Sequence, residues 1–302
     1  MNKELIFKGA ATALITPFKN DKIDYPALKK LIEYQIDGKT DALVIGGTTG
    51  EAATLKYSER ERLYSFVRDE VGGRVKIIFG TGTNETKTVI KHTALAERIG
   101  CDGVLIVTPY YNKGTSRGVV EHYKRIAEST SLPILLYNVP SRTGVNLSIE
   151  QLFKLSEIKN IVGIKEASDS VDRLCELATF KDSLRLYAGN DSQIYPVLSL
   201  GGYGVISVAS NIYPKIVSKL CRSYFDNDRD TSLDIQLSLL PLIKALFRET
   251  NPAPVKYAAS LLGLCSPELR LPLYEITDAN KALLKQEMER CGKMFSRDGK
   301  ST

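Results

Sequence analysis

The chain has no tryptophan and only two histidines among its 302 residues. His92 and His122 lie in separate helix-like segments, KTVIKHTALAERIG and RGVVEHYKRIAEST, where surface or packing roles are expected. Two scattered imidazoles leave little room for a His-rich metal centre, and no metal or other cofactor is expected. Proton transfer in an enzyme of this composition falls to tyrosine, lysine or threonine. The five cysteines, Cys101, Cys175, Cys221, Cys265 and Cys291, are odd in number, far apart and never spaced as CxxC. That argues against a disulfide framework and a structural zinc site, and fits inert thiols in a reducing compartment. No apolar run approaches the roughly 18 residues of a membrane span. The opening MNKELIFKGAATALITPF lacks a signal-peptide pattern, so a cytoplasmic protein is expected, with no membrane partner. Blocks of like charge and basic stretches interleaved with aromatics are also missing, so nucleic acid is not an expected partner. The net charge of +6 is a mild excess that favours anionic substrates.

What is present is alternation. Short apolar runs recur at 10–18, 42–47, 75–82, 103–109, 133–140, 161–167, 185–191 and 204–210. Most are continuous rather than alternating, as parallel strands covered on both faces require. Amphipathic segments separate them, at 25–38, 86–100, 116–130 and 148–157. Gly100 is placed as a C-cap, and Ser148 with Gln151 forms a capping-box pattern. Eight strand–helix units in a row predict an α/β fold of the (β/α)8 TIM-barrel type. An open doubly wound sheet is the alternative, but the first strand lacks a GxGxxG fingerprint. The pattern then resets. Residues from about 213 to 296 read as helical, with segments at 234–249, 254–264 and 278–295. The expected organisation is a barrel over 1–228 and a C-terminal helical extension over 229–302, with a frayed polar tail SRDGKST.

Active sites of such barrels lie at the C-terminal strand ends. Here those ends read Thr16-Pro17, GGTTGE, GTGTN, TPYYN, YNVPSRTG, Lys165-Glu166, AGND and Ile206-Ser207. GGTTGE lacks the GK[ST] of a phosphate loop, but its backbone and paired threonines can hold a small carboxylate. Lys165 ends the apolar run IVGIKEA. It admits two readings: a Schiff-base amine kept neutral by desolvation, or half of a buried salt bridge. Strand alternation sends Glu166 to the other face. Tyr137 ends the adjacent strand and can relay protons, with Thr48 and Tyr111 as hydroxyl partners. Arg142 follows in SRTG, where a planar fork can hold a carboxylate.

The ordered set GGTTGEA, PYYN, YNVPSRTG, GIKEAS, GGYGVISV and NPAPVK resembles the 4-hydroxy-tetrahydrodipicolinate synthases, also called dihydrodipicolinate synthases. The likeness runs from about residue 8 to residue 278. The resemblance implies a lyase of the diaminopimelate and lysine route, usually a homotetramer built as a dimer of dimers. It implies condensation of pyruvate with L-aspartate-4-semialdehyde. Lys165 would form the imine with pyruvate and Tyr137 would carry protons. Thr48 and Tyr111 would complete the relay, Tyr111 crossing from a neighbouring subunit. Thr49 and the Ile206 backbone would hold pyruvate, Arg142 the semialdehyde carboxylate, and Gly189 would shape the pocket. The wider family includes N-acetylneuraminate lyase and keto-sugar-acid aldolases, which share the lysine and the tyrosine. The intact SRTG and GTTGEA favour the synthase. One departure stands out. Lysine-inhibited relatives carry histidines after the GTTGE turn and a glutamate after GTGxN. Tyr57, Arg60 and Thr88 stand at those places here, although Asn84 and Tyr110 remain. Weak or absent inhibition by lysine is therefore expected.

Overall fold

The computed structural model describes residues 3–297. Among them, eight parallel strands close into a barrel in chain order. They are β1 Gly9–Ala13, β2 Ala42–Ile45, β3 Lys76–Gly80, β4 Gly103–Val107, β5 Ile134–Asn138, β6 Ile161–Glu166, β7 Arg185–Ala188 and β8 Gly204–Ser207. Closure is made by β8 against β1, with Gly9 opposite Gly204 and Ala11 opposite Ile206. The helices of the outer ring are α1 Tyr25–Asp37, α2 Tyr57–Val71, α3 Thr86–Ile99, α4 Ser116–Glu128, α5 Ile149–Ser156, α6 Val171–Ala178, α7 Ile194–Ser199 and α8 Pro214–Phe225. Both strand faces are buried, which explains the continuous apolar runs. Leu43, Ile45, Ile106, Leu136 and Ile164 pack outward under the helices. Val44, Ile78, Leu105, Leu135, Tyr137 and Ile206 fill the barrel interior.

The helix signals act as local chemistry requires. Ser148 accepts from the Gln151 N–H at 3.1 Å while Gln151 Oε1 accepts from the Ser148 N–H at 2.7 Å. Gly100 ends α3 at φ +89, a backbone region costly for other residues. On α2 the buried positions are Arg60, Leu63, Tyr64, Val67 and Val71, a stripe at helical spacing. One of those positions is an arginine.

The first strand is shorter than the sequence pattern suggests. It stops at Ala13, and Phe18–Lys19 pairs instead with Lys22–Ile23 in a small antiparallel hairpin. The ladder is displaced by a side chain: Asn211 Oδ1 accepts the Ile15 N–H at 3.0 Å.

Three helices follow the ring among the described residues: α9 Arg229–Leu246, α10 Ala253–Leu261 and α11 Asp278–Arg297. The first begins earlier than its apolar periodicity implies, because Asp228 caps the Thr231 N–H at 3.1 Å. It passes through Pro241. Most of the tail expected to fray, residues 298–302, lies outside the described residues. No helix among the described residues is long and apolar enough to cross a membrane.

Candidate active site

Strand register places Lys165 beside Tyr137 on one flank and Tyr187 on the other. Ile164 packs outward, so alternation turns Lys165 inward and Glu166 out again. The Lys165 ammonium lies 4.4 Å from the centroid of the Tyr137 ring. Burial lowers its pKa to about 8, the charge of Asp191 opposes the shift, and that of Arg142 adds to it. Glu166 does not neutralise it. Its carboxylate accepts from Asn138 Nδ2 at 2.9 and 3.0 Å and from the Ser168 N–H at 2.9 Å, and faces Arg173 Nε at 3.5 Å. Glu166 is thus engaged away from Lys165, and Asp191 is the acid whose charge acts on it.

Asp191 is the nearby acid that sequence reasoning missed. It is buried and accepts the N–H groups of Val208 at 2.9 Å and Ala209 at 3.1 Å, together with the Ser207 hydroxyl. Burial pushes its carboxyl pKa up, and those hydrogen bonds work against the rise. The AGND strand end was visible in the sequence. Its approach to Lys165 and to the turn after β8 was not.

The Tyr137 phenol is buried too. Burial raises its pKa, while the charge of Arg142 and a hydrogen bond with Thr48 hold it down. Thr48 and Thr49 ride on the turn after β2. That turn opens at Gly46, φ +66, and closes with the Glu51 N–H on the Thr48 carbonyl at 3.1 Å. β3 passes so close that a Cβ on Gly80 would lie 2.4 Å from the Gly46 carbonyl oxygen.

Asn251, just before α10, was present in the NPAPVK motif but its role was not foreseen. Its Nδ2 donates to the Thr49 hydroxyl at 2.9 Å, and its carbonyl accepts from Arg142 Nη2 at 3.0 Å. The C-terminal helices therefore complete the wall of the mouth. Arg142 itself sits on a one-turn helix, Pro140–Thr143, rather than an open turn. Two adjoining cavities meet here, sharing Tyr137, Arg142 and Asn251. One of about 480 Å³ takes in Thr48, Tyr110, Arg60 and His92. The other, of about 750 Å³, takes in Lys165, Thr49, Gly189 and Asp191. Gly189 has no room for a side chain, since a Cβ would lie 2.6 Å from the Glu166 carbonyl oxygen.

Two expected residues are not brought to these walls. Ile206 is wholly buried on β8 and borders neither cavity; Val208, two residues on, reaches the larger one. Tyr111 lies four residues beyond the end of β4, at φ +72, and is 89% exposed. The strand-end position expected for Tyr111 is corrected: a left-handed backbone in the loop throws its ring out of this chain's own mouth.

A buried amine at the mouth of a closed eight-stranded barrel marks a TIM-barrel enzyme with its chemistry at the C-terminal strand ends. The model of the Dihydrodipicolinate synthetase family matches residues 6–290, and the chain belongs to that family. It is similar to 4-hydroxy-tetrahydrodipicolinate synthase 1 of Clostridium acetobutylicum, 47% identical over 288 residues, covering 95% of this chain and 98% of that one. The solved dihydrodipicolinate synthase of Thermotoga maritima superposes with a TM-score of 0.93 at 42% identity, covering 95% of this chain and 99% of that one. A solved structure described as the first monomeric dihydrodipicolinate synthase variant gives a TM-score of 0.93 at 42% identity, covering 95% and 97%.

Proposed function

We propose that the chain condenses pyruvate with L-aspartate-4-semialdehyde, acting as a 4-hydroxy-tetrahydrodipicolinate synthase through an imine on Lys165. The observation that carries this reading is the Lys165–Tyr137 pair, an amine held 4.4 Å from a phenol ring inside the mouth with its sequence neighbour Glu166 turned away. A lysine with a pKa near 8 has about one molecule in ten neutral at pH 7, against fewer than one in a thousand in water. The neutral amine attacks the pyruvate carbonyl carbon, whose oxygen leaves as water. Loss of a methyl proton gives an enamine, and its carbon adds to the aldehyde carbon. The aldehyde oxygen takes up a proton and becomes a hydroxyl. Attack of the semialdehyde amine on the imine carbon then closes the ring and frees Lys165.

Tyr137, hydrogen-bonded to Thr48, moves protons at the lysine nitrogen and the leaving oxygen. Thr49, set by Asn251, holds the pyruvate carboxylate together with backbone from the end of β8, where Ile206 lies. Arg142 takes the semialdehyde carboxylate by a bidentate fork. Gly189 keeps the larger cavity open. Tyr111 acts in a neighbouring copy, within a homotetramer arranged as a dimer of dimers, in the cytoplasm. Its exposure supports that role, because the ring is otherwise solvent-facing.

The test is a borohydride trap. Pyruvate plus borohydride should add one reduced pyruvyl group at Lys165, and the semialdehyde should be consumed in a pyruvate-dependent assay. An adduct on a different lysine, or none, sinks the mechanism. Turnover of sialic acid or a keto-deoxy sugar acid in place of the semialdehyde would instead assign a lyase. For the assembly, mixing inactive Lys165→Ala and Tyr111→Phe copies should restore activity if Tyr111 serves its neighbour.

A further inference from the structure

Of the charged side chains that border the larger cavity, only Lys165 and Asp191 are buried; Arg142, Lys244, Arg248 and Asp169 are exposed, and Glu249 is half-buried. No ion pair among the described residues includes either of the two, whereas Glu51 has Lys256 at 2.6 Å and Glu166 has Arg173 at 3.5 Å. Arg60 is a further buried cation that donates only to neutral groups, the Tyr64 hydroxyl and the Gly80 and Ala52 carbonyls, but it stands in the wall of the smaller cavity. A charge taken out of water without a counter-charge is strongly disfavoured. One unmatched acid and one unmatched amine therefore share a single enclosure.

The partners of Asp191 fix it as an anion, because all of them donate. Oδ2 accepts the Val208 and Ala209 N–H groups at 2.9 and 3.1 Å. Oδ1 accepts the Ser207 hydroxyl, whose own oxygen is taken by the Ser210 N–H at 2.9 Å. Gln236 Nε2, on α9, holds the Asp191 carbonyl at 3.1 Å. With both oxygens committed to the turn after β8, the carboxylate acts on the cavity by its charge and not by moving a proton.

Imine formation changes the charge at Lys165. The neutral amine adds to the pyruvate carbonyl carbon, the oxygen leaves as water, and the nitrogen with one proton becomes a cationic iminium. Loss of a methyl proton turns it into a neutral enamine. A positive charge is thus made and discharged on a buried nitrogen, where Coulomb terms are several-fold stronger than in water. The groups packed around that nitrogen supply no other anion. Tyr137 and Tyr187 on the flanking strands are phenols whose pKa burial raises. Glu166 faces Arg173, and the charge of Arg142 repels a cation here. On the far side of Asp191, α8 presents the Cys221 thiol, which burial keeps protonated.

Resting on the imine reading above, we propose that Asp191 is the counter-charge of the pyruvate iminium on Lys165. It favours the cationic intermediate over the neutral enamine that follows. It lies outside ion-pair distance, so it acts without touching the reacting nitrogen, as a charge positioned by the turn after β8. The same charge favours the ammonium of free Lys165, so Asp191 slows the first attack at neutral pH while it populates the iminium.

The test uses the full-length protein with carbonyl-labelled (carbon-13) pyruvate and nitrogen-15 lysine. NMR reads the share of Lys165 present as imine and the protonation of its nitrogen. In the wild type that nitrogen should stay protonated past about 8, where the free amine titrates. Asp191→Asn should lower the imine titration by about one pH unit, which is a roughly tenfold loss of iminium at fixed pyruvate. Gln236→Leu loosens the same turn with the charge in place and should leave the imine titration where it was. An equal shift in Gln236→Leu would make the effect structural and overturn the proposal, as would equal titrations in the wild type and Asp191→Asn. Should Asp191→Asn fail to fold, the wild type alone decides: an imine already deprotonated at pH 7 overturns the counter-charge. A wild type that forms no imine at all brings down the imine reading itself, whereas an imine indifferent to Asp191 leaves that reading standing and removes only the role of Asp191.

Discussion

Lys256 Nζ on α10 lies 2.6 Å from Glu51 Oε1 in the turn after β2, and both side chains are wholly buried. The second Glu51 oxygen accepts the Arg270 N–H at 3.1 Å. This pair fastens the C-terminal helices to the turn that carries Thr48 and Thr49. Lys256→Met strands a buried carboxylate and should cost about 3–5 kcal/mol in urea unfolding. Adding Glu51→Leu should recover most of that loss. A double variant as unstable as the single one would show that the pair matters for packing rather than charge.

Imine formation should follow the ionisation of Lys165. The amine is neutral only above its pKa, lowered to about 8. The initial rate of trapping with pyruvate should rise about tenfold per pH unit below 8 and level off above it. Asp191 raises that pKa, so Asp191→Asn should move the plateau to lower pH. A rate still climbing at pH 10 would mean an amine that behaves as it does in water.

Tyr137→Phe keeps the ring beside Lys165 but removes the proton carrier. Turnover should fall by roughly 10²–10⁴. The Lys165 adduct should still form, more slowly. An active Tyr137→Phe enzyme would shift the relay to another hydroxyl.

His122 gives the stability of the protein a defined pH slope. It is buried, its Nδ1 is 2.9 Å from the Thr86 hydroxyl, and burial lowers its pKa to about 4. Above its unfolded value of about 6.5 neither state is protonated, so it contributes nothing there. As pH falls from there to 4, the unfolded chain binds the proton first, and stability declines by up to about 1.4 kcal/mol per unit. His122→Gln should remove that share of the slope and leave the share of His92. Urea midpoints measured from pH 7 to pH 4.5 decide it, and an unchanged slope refutes it.

Lysine should inhibit weakly or not at all. Arg60 stands buried in the cavity wall, and the Thr88 hydroxyl is committed to Glu85, so neither offers a carboxylate to a cationic ligand. Half-inhibition at submillimolar L-lysine in a steady-state assay would contradict this.

Much of the molecule was legible because local rules govern it. Continuous apolar runs marked strands covered on both faces, and alternation alone turned Lys165 inward and Glu166 outward. Ser148 and Gly100 marked their helix ends, since a cap depends on residues only a few positions away. The end of β1 was misjudged because Asn211, far along the chain, takes the Ile15 N–H. The exposure of Tyr111 was not legible either, since a left-handed residue in a loop leaves no periodic signal.

The sequence by itself determined the barrel, the lysine at its mouth and the tyrosine on the next strand. Parallel register then brought that pair together with little further choice. Only the tertiary structure decided the rest of the wall. Asn251 reaches Thr49 across 202 residues, and Lys256 reaches Glu51 across 205. Asp191 turned out to be the acid beside the amine, and Arg60 a buried cation without a counter-charge. These relations depend on how distant segments close around one cavity. Charge balance inside a low-dielectric site is a property of that enclosure, which no local stretch of sequence encodes.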